Sequence, residues 1–218
     1  MNHSPPMPLP PVSPLADRPL ARAMFHDLLG RLMVGQAERD MLAALWMQPW
    51  RRYHGAGHAG LLWERHLAHG GDPADAVAAH GIAYHDAIYA VGARDNEARS
   101  AALWRDHAAA LPLALGDSVE RAILATADHA AAHPDPDAQW LVDLDLTPLG
   151  EPWLLFAANS AALREEAGAP PGAMLPGQAA FLTRLLNLPQ LYRSPRSNHA
   201  LHHTYEATAR RNLNRLLS

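Results

Sequence analysis

Hydrophobic residues recur every three or four positions along most of the chain, which is the spacing of one face of an α-helix. The pattern begins with Leu20, Met24, Leu28 and Leu32, and it predicts a first helix over residues 20–33. No alternating segment rich in Val and Ile stands out, and the chain has no Asn-Gly or Asp-Gly pair that would mark a hairpin. The sequence therefore predicts an all-α fold.

Proline, glycine and capping residues divide this pattern into ten predicted helices. Asp72 with Pro73 marks one helix start, Asp95 marks the next, and Asp117 with Glu120 has the spacing of a capping box. Ten successive helices favour a helical bundle. The predicted helices cover residues 20–33, 41–47, 51–69 (a loop that enters a helix), 72–89, 96–111, a segment from 117, then 135–149, 154–166, 179–186 and 198–217.

The two ends of the pattern predict the domain organisation. Residues 1–19 contain seven prolines and no continuous apolar run, so we expect a disordered tail without a signal peptide. Residues 20–218 are long enough to form a single domain with a real core. No stretch approaches the roughly 20 apolar residues that span a bilayer. We therefore expect a cytoplasmic protein with no membrane partner.

Composition narrows the chemistry more than the fold. The net charge of −4 gives no general electrostatic reason to bind extended nucleic acid, although a metal site would supply its own positive charge to a phosphorylated substrate. The chain has no cysteine, which excludes disulfides, thiolate metal sites and cysteine nucleophiles. Any metal ion must be held by carboxylates and by some of the 14 histidines.

Three short clusters place such groups among apolar residues. The segment 51–58 has two histidines four residues apart, 83–86 ends in an adjacent His-Asp pair, and 141–146 has two aspartates between leucines and a valine. Charged groups are costly to bury unless they are paired or coordinated, and histidine with carboxylate suits a transition metal. A His-Asp pair alone indicates little, since His26-Asp27 is a second such pair without an assigned role.

Taken in order, the clusters are similar to the defining pattern of the HD superfamily. The chain from residue 51 to 164 resembles small bacterial proteins described as predicted metal-dependent HD-superfamily phosphohydrolases. It departs from them at Gly55, Ala167 and Gln178, which puts the substrate contacts of the C-terminal half in doubt. The matching motifs are Arg52-Tyr53-His54 with His58, Tyr84-His85-Asp86-Ala87-Ile88-Tyr89, Asp95-Asn96-Glu97-Ala98-Arg99-Ser100-Ala101, Ile123-Leu124-Ala125-Thr126-Ala127-Asp128-His129, Asp143-Leu144-Asp145-Leu146, Leu149-Gly150, Arg164-Glu165, Tyr205-Glu206, Ala209-Arg210 and Asn212-Leu213.

The resemblance implies an HD-domain helical bundle with a divalent metal centre. In the related cyclic-nucleotide phosphodiesterases, the first histidine of the Tyr-His-x-x-x-His stretch donates a proton and the second binds metal. By that match His54 is the general acid and His58 the ligand, with the reverse assignment left open. Asp86 would also bridge to a second ion. The implied metal ligands are His58, His85, Asp86 and Asp145.

Other residues receive weaker roles. Asp143 either orients a ligand histidine from behind or lies at the helix surface, because two carboxylates two residues apart on a helix point in different directions. His129 is a second-metal ligand, a phosphate contact or a half-buried helix histidine. Asn96 and Glu97 also make an ordinary helix start with favourable negative charge, while the resemblance favours a site role for Glu97.

Three arginines, Arg51, Arg52 and Arg164, could each grip a phosphate, although surface arginine is the more common reading of any one of them.

These assignments predict a phosphohydrolase that uses metal-activated water on a small phosphate ester, with nucleotides among the candidates. One or two ions are expected, and Mn, Co, Ni, Zn, Fe and Mg are not distinguished. A homodimer is left open. The alternatives are an HD-type di-iron oxygenase, which would recruit His54, His129 and His133, and a non-catalytic metal- or nucleotide-binding module, which the retained buried charges disfavour.

Overall fold

The computed structural model describes residues 18–170 and 172–218, and this part of the chain contains α-helices and no strand, which confirms the all-α prediction. Two 3₁₀ turns, Thr126–Asp128 and Thr147–Gly150, flank the seventh helix. The helices are α1 (Pro19–Arg31), α2 (Gln36–Trp46), α3 (Ala56–Ala68), α4 (Ala76–Tyr84), α5 (Asn96–His107), α6 (Leu113–Ala125), α7 (Pro136–Asp145), α8 (Trp153–Glu166), α9 (Pro176–Leu186) and α10 (Arg196–Leu217).

Of the predicted tail, residues 1–19, the first 17 lie outside the described residues. Its last residue, Pro19, is already the first residue of α1, where the missing N–H costs nothing. No helix among the described residues is long and apolar enough to cross a membrane.

Three predicted helix starts are wrong, those of α2, α4 and α6, and α2 begins at Gln36, five residues before Met41. Helix α4 is capped by Asp75, whose carboxylate accepts a hydrogen bond from the backbone N–H of Ala78 at 2.9 Å. Asp72 instead accepts from the N–H of Ala74 in the preceding turn, at 2.8 Å. An aspartate followed by a proline therefore marked a turn that leads into the helix, and the true cap lies three residues later.

Helix α6 begins at Leu113, directly after Pro112, so the predicted capping box at Asp117 lies inside the helix. Asp117 and Glu120 both pair with Arg105 of α5, the first at 2.8 Å. Two acidic residues three apart thus serve a contact between helices.

Helices α4, α5 and α7 end earlier than predicted, and the ends of α4 and α7 matter for the site. Helix α7 ends at Asp145, because Pro148 disfavours helical geometry at the residue before it and the chain continues as a 3₁₀ turn. Helix α4 ends at Tyr84, so His85 and Asp86 follow the helix and do not lie within it as predicted.

The packing of α1 along α3 depends on one glycine. A Cβ atom at Gly60 would overlap the carbonyl oxygen of Ala21, so the two backbones approach more closely than any side chain allows. Helices α4, α6 and α7 pack against one another on the other side of the core.

The core is rich in tryptophan. Burial of these large rings supplies much apolar contact, and each indole N–H finds an acceptor, as buried polar groups require. The acceptors are Ala83 O for Trp46, Asp27 Oδ2 for Trp63, Gly116 O for Trp104 and His66 Nδ1 for Trp140.

Candidate metal centre

Four predicted ligands meet where α3 begins, α4 ends and α7 ends. His58 lies in the first turn of α3, His85 and Asp86 form the turn after α4, and Asp145 is the last residue of α7. The side chains of both histidines are fully buried, and the two carboxylates are nearly so.

The distances between these side chains fit a shared ion. His58 Nε2 lies 3.0 Å from Asp145 Oδ1, and His85 Nε2 lies 3.2 Å from Asp86 Oδ2 and 3.9 Å from Asp145 Oδ1. Ligand atoms about 2.0–2.2 Å from one metal ion lie roughly 3–3.5 Å from each other. His58, His85 and Asp86 each offer one ligand atom, and these three atoms lie within 4.8 Å of one another. Asp145 lies at the edge of this trio.

Three ring nitrogens in this cluster, Nδ1 and Nε2 of His58 and Nε2 of His85, have no hydrogen-bond partner among the described residues. Nε2 of His58 and Nε2 of His85 are both buried and lie close to a carboxylate, but neither has the geometry of a hydrogen bond to it. Buried polar atoms are nearly always paired, so an orphan pair that faces carboxylates needs an explanation. A divalent transition metal fits, because imidazole nitrogen and carboxylate oxygen are its usual ligands.

The charges of the cluster support the same assignment. Burial lowers the pKa of His58, with Asp145 offsetting only part of the effect, which favours the neutral ring that a metal requires. Burial also acts against charge on His85, but Asp86 and Asp145 outweigh it and raise the pKa of His85 to about 9. His85 and His54 in turn hold the pKa of Asp86 well below its ordinary value despite burial. The carboxylates are therefore ionised and attract positive charge.

Arg51 holds two of the converging segments together. Its guanidinium donates hydrogen bonds to the carbonyl oxygens of His54, Asp86 and Ala87 at 2.9, 2.7 and 2.9 Å, and to Gln48 Oε1 at 3.2 Å. These bonds tie the loop before α3 to the turn after α4. Arg51 is buried and committed to backbone oxygens, so its suggested grip on a phosphate is not what the structure shows.

His54 contacts a carboxylate that the sequence analysis did not single out. Its Nδ1 lies 2.5 Å from Glu166 Oε1, and Glu166 Oε2 accepts from the backbone N–H groups of Tyr53 and His54 at 2.9 and 3.1 Å. Glu166 is buried at the end of α8, where a negative charge opposes the helix dipole. An acidic residue at this unfavourable position was the signal in the sequence that could have pointed to Glu166. The bond turns Nδ1 of His54 toward Glu166 and leaves Nε2 as the ring nitrogen that faces away from this carboxylate.

His129 and Asp143 have clearer places than the sequence could give them. His129 Nε2 lies 2.6 Å from Asp145 Oδ2, so His129 joins the cluster on the far oxygen of that carboxylate. Asp143 is buried and accepts from Gln139 Nε2 at 2.7 Å and from the N–H of Ser194 at 2.6 Å. Burial raises the pKa of Asp143 to about 6. Asp143 therefore anchors the segment before α10, in place of either role predicted for it.

The remaining predicted residues lie in other environments. Asn96 binds Ala90 through both its amide atoms at 3.0 Å, which shapes the loop before α5. Arg52 is exposed and pairs with Glu165 at 3.1 Å. Glu97 and Arg164 are half-buried and have no contact with the cluster in the described hydrogen bonds and ion pairs.

Comparison of the chain with protein-family models, with curated proteins and with solved structures gives no match. The case for function therefore depends on the geometry of the cluster itself.

Proposed function

We propose that the protein is a metal-dependent phosphohydrolase that cleaves a small phosphate monoester. The observation that carries the proposal is the pair of buried, unpartnered histidine nitrogens beside two ionised aspartates. His58, His85, Asp86 and Asp145 would hold the ion. A divalent ion bound there supplies Lewis acidity, which activates water at neutral pH and offsets phosphoryl charge.

The protein's own residues supply a proton donor in the right place. Burial disfavours the charged form of His54, but the bond to Glu166 and the charges of Asp86 and Asp145 outweigh it and raise its pKa. The raised pKa favours a protonated His54, whose Nε2–H would be the group that donates to the leaving oxygen of an ester. This supports His58 as the ligand and His54 as the acid, since Nδ1 of His54 is already bonded to Glu166.

Aromatic rings shield the cluster from water. The Trp46 ring centre lies 5.7 Å from that of His85, and the Tyr53 ring centre lies 5.1 Å from that of His58. A dry site strengthens the attraction between charged groups and a phosphoryl oxygen. His129, on the outer oxygen of Asp145, is placed to hydrogen-bond a phosphate oxygen or to bind a second ion.

The oxygenase alternative has less support. It would recruit His133, but Nε2 of that residue lies 3.2 Å from the carbonyl oxygen of Asp128, in a bond that closes a local turn. A non-catalytic binding module needs no proton donor, so this alternative does not account for the His54–Glu166 pair.

The test compares Asp86→Asn and His54→Gln with Asp106→Asn, a control at an exposed aspartate of α5. Metal content is measured by mass spectrometry after equilibration with each divalent ion, and phosphate release is measured on a panel of monoesters. We expect Asp86→Asn to lose at least about tenfold in metal affinity. We expect His54→Gln to keep its metal and to lose about 100-fold or more in kcat.

The control should match the wild type in both measurements. Wild-type protein that binds no divalent ion, or phosphate release that survives Asp86→Asn, would contradict the proposed centre. Bound metal without turnover on any monoester would favour the binding module, and oxygen consumption by an iron-loaded sample would favour the oxygenase.

A further inference from the structure

A small cavity opens directly beside the metal centre. Its lining includes His54, His129 and Asp145, the groups that the proposed function assigns to the phosphate. Its walls come from α8 and α9 and include Phe156 and Phe181. Whatever part of a substrate follows the scissile oxygen would enter this space.

The volume of the cavity limits the size of the group that it can enclose. It measures about 150 Å³, half the lower end of the roughly 300–1,000 Å³ that drug-sized ligands occupy. A cavity of about 150 Å³ lined by aliphatic and aromatic side chains holds a benzene ring. A sugar together with a base needs more room, and because the cavity is open to solvent on one side, part of a nucleoside would lie outside it.

The lining also limits charge. Among the described residues that line the cavity, the basic ones are His54 and His129, which the proposed function assigns to the phosphate, and no arginine or lysine is present. A second phosphate or a carboxylate would therefore lack a partner of its own there. The polar groups of the wall are neutral ones on α8 and α9. One of them, Oε1 of Gln178, is buried and accepts no hydrogen bond from the described chain. A donor group on the ligand would satisfy it.

We propose that this cavity binds the leaving group of the substrate, and that this group is a single uncharged ring whose hydroxyl or amine faces Gln178. The assignment rests on the proposed phosphohydrolase function and narrows it. The substrate class is then a monophosphate ester of a one-ring alcohol, which the cavity can enclose more fully than a nucleoside.

The first experiment compares benzyl phosphate with methyl phosphate, whose leaving alcohols have similar acidity, and with a nucleoside 5′-monophosphate. We expect kcat/KM for benzyl phosphate to exceed that for methyl phosphate by at least about tenfold, since a ring gains contacts that a methyl group cannot make. The nucleoside monophosphate should be a poorer substrate than benzyl phosphate.

Two variants on α8 test whether the cavity causes this preference. Ser160 is buried in the wall, and Ser160→Leu would fill the space, whereas Ala161→Leu adds the same side chain on the exposed face. The benzyl-to-methyl ratio should fall toward one in Ser160→Leu and stay at the wild-type value in Ala161→Leu. Circular dichroism checks that both variants fold.

Binding gives a readout that does not need turnover. Saturation-transfer NMR should show benzyl alcohol bound to metal-free wild type and to Ala161→Leu, and no binding to Ser160→Leu. Gln178→Leu should weaken binding of 3-hydroxybenzyl alcohol more than binding of benzyl alcohol.

The outcomes separate the two proposals. Equal turnover of benzyl and methyl phosphate, preference for the nucleotide, or an unchanged ratio in a folded Ser160→Leu would overturn the cavity assignment and leave the phosphohydrolase standing. No phosphate from any ester, with benzyl alcohol still bound in the cavity, would overturn the function and with it the substrate class.

Discussion

Replacing Arg51 with methionine should destabilise the protein far more than the same change at its neighbour, Arg52. Arg51 is buried and donates to three backbone carbonyl oxygens, one in its own loop and two in a turn that begins 35 residues further along the chain. The Arg52 side chain is 56% exposed and makes one ion pair with Glu165, whose side chain is 67% exposed. The two substitutions remove the same charge and the same number of atoms, so their difference isolates the buried bonds.

The magnitude follows from the acceptors that lose their donor. Hydrogen bonds to a charged group contribute about 1.5–3 kcal/mol each, and an unpaired buried carbonyl costs about 1–3 kcal/mol. Part of this is offset because a buried guanidinium is itself costly to desolvate. We therefore expect Arg51→Met to lower the free energy of unfolding by about 3–5 kcal/mol. Arg52→Met should cost less than about 1 kcal/mol, as exposed ion pairs do.

Urea denaturation followed by circular dichroism at 222 nm measures both values, provided that the slope with denaturant is the same in each protein. Metal affinity should fall together with stability in Arg51→Met, since the lost bonds join the loop that carries His54 to the turn that carries Asp86. A difference between the two variants of less than about 1 kcal/mol would refute the view that Arg51 holds the site together.

Two further predictions concern the helices that carry the site. Gly60→Ala should lower the free energy of unfolding by about 1–3 kcal/mol, because the added methyl group meets the backbone of α1, whereas Gly30→Ala, with open space around it, should cause no loss in the same denaturation assay. The pKa of Asp75 in the folded protein is below 3.8, since its bonds to Ala78 and Arg196 outweigh burial. The stabilisation that ionised Asp75 provides is present above its ordinary pKa and is lost as the pH falls through its lower pKa in the folded protein. The difference in stability between wild type and Asp75→Ala should therefore narrow in acid. A gap that widens below pH 4 in thermal unfolding would contradict this sign.

The helical fold could be predicted from periodicity because most helices bury one face, and the spacing of that face is local information. Helix ends were harder. Asp72 and Asp117 have the right residue type for a cap, yet each is used elsewhere. The choice between Asp72 and Asp75 is made in part by Arg196, 121 residues away, which pairs with Asp75. No local pattern contains that contact.

The candidate site divides in the same way. The histidines and aspartates could be proposed because charged residues among apolar neighbours are conspicuous in a sequence. The roles of Glu166 and Gln178 could not be predicted. Glu166 was conspicuous only as an acidic residue at a helix C-terminus and Gln178 only as a departure from the family pattern, and the role of each depends on the groups that lie opposite it. Glu166 faces His54 from 112 residues away. Arg51 was conspicuous but misassigned, because a phosphate and a row of carbonyl oxygens attract the same guanidinium.

The balance of charge at the centre explains why these supporting residues are needed. Asp86, Asp145 and Glu166 bring three carboxylates into one largely buried region, and their pKa values are all held below the ordinary range. Arg51, the permanent cation in the loop, is turned toward backbone oxygens, so the carboxylates draw their compensation from histidine protons. A divalent ion would supply that charge in place of the proton on His85, and it would leave the His54–Glu166 pair charged. The pair is thus separable from the ligands, which is what a proton donor beside a metal centre requires.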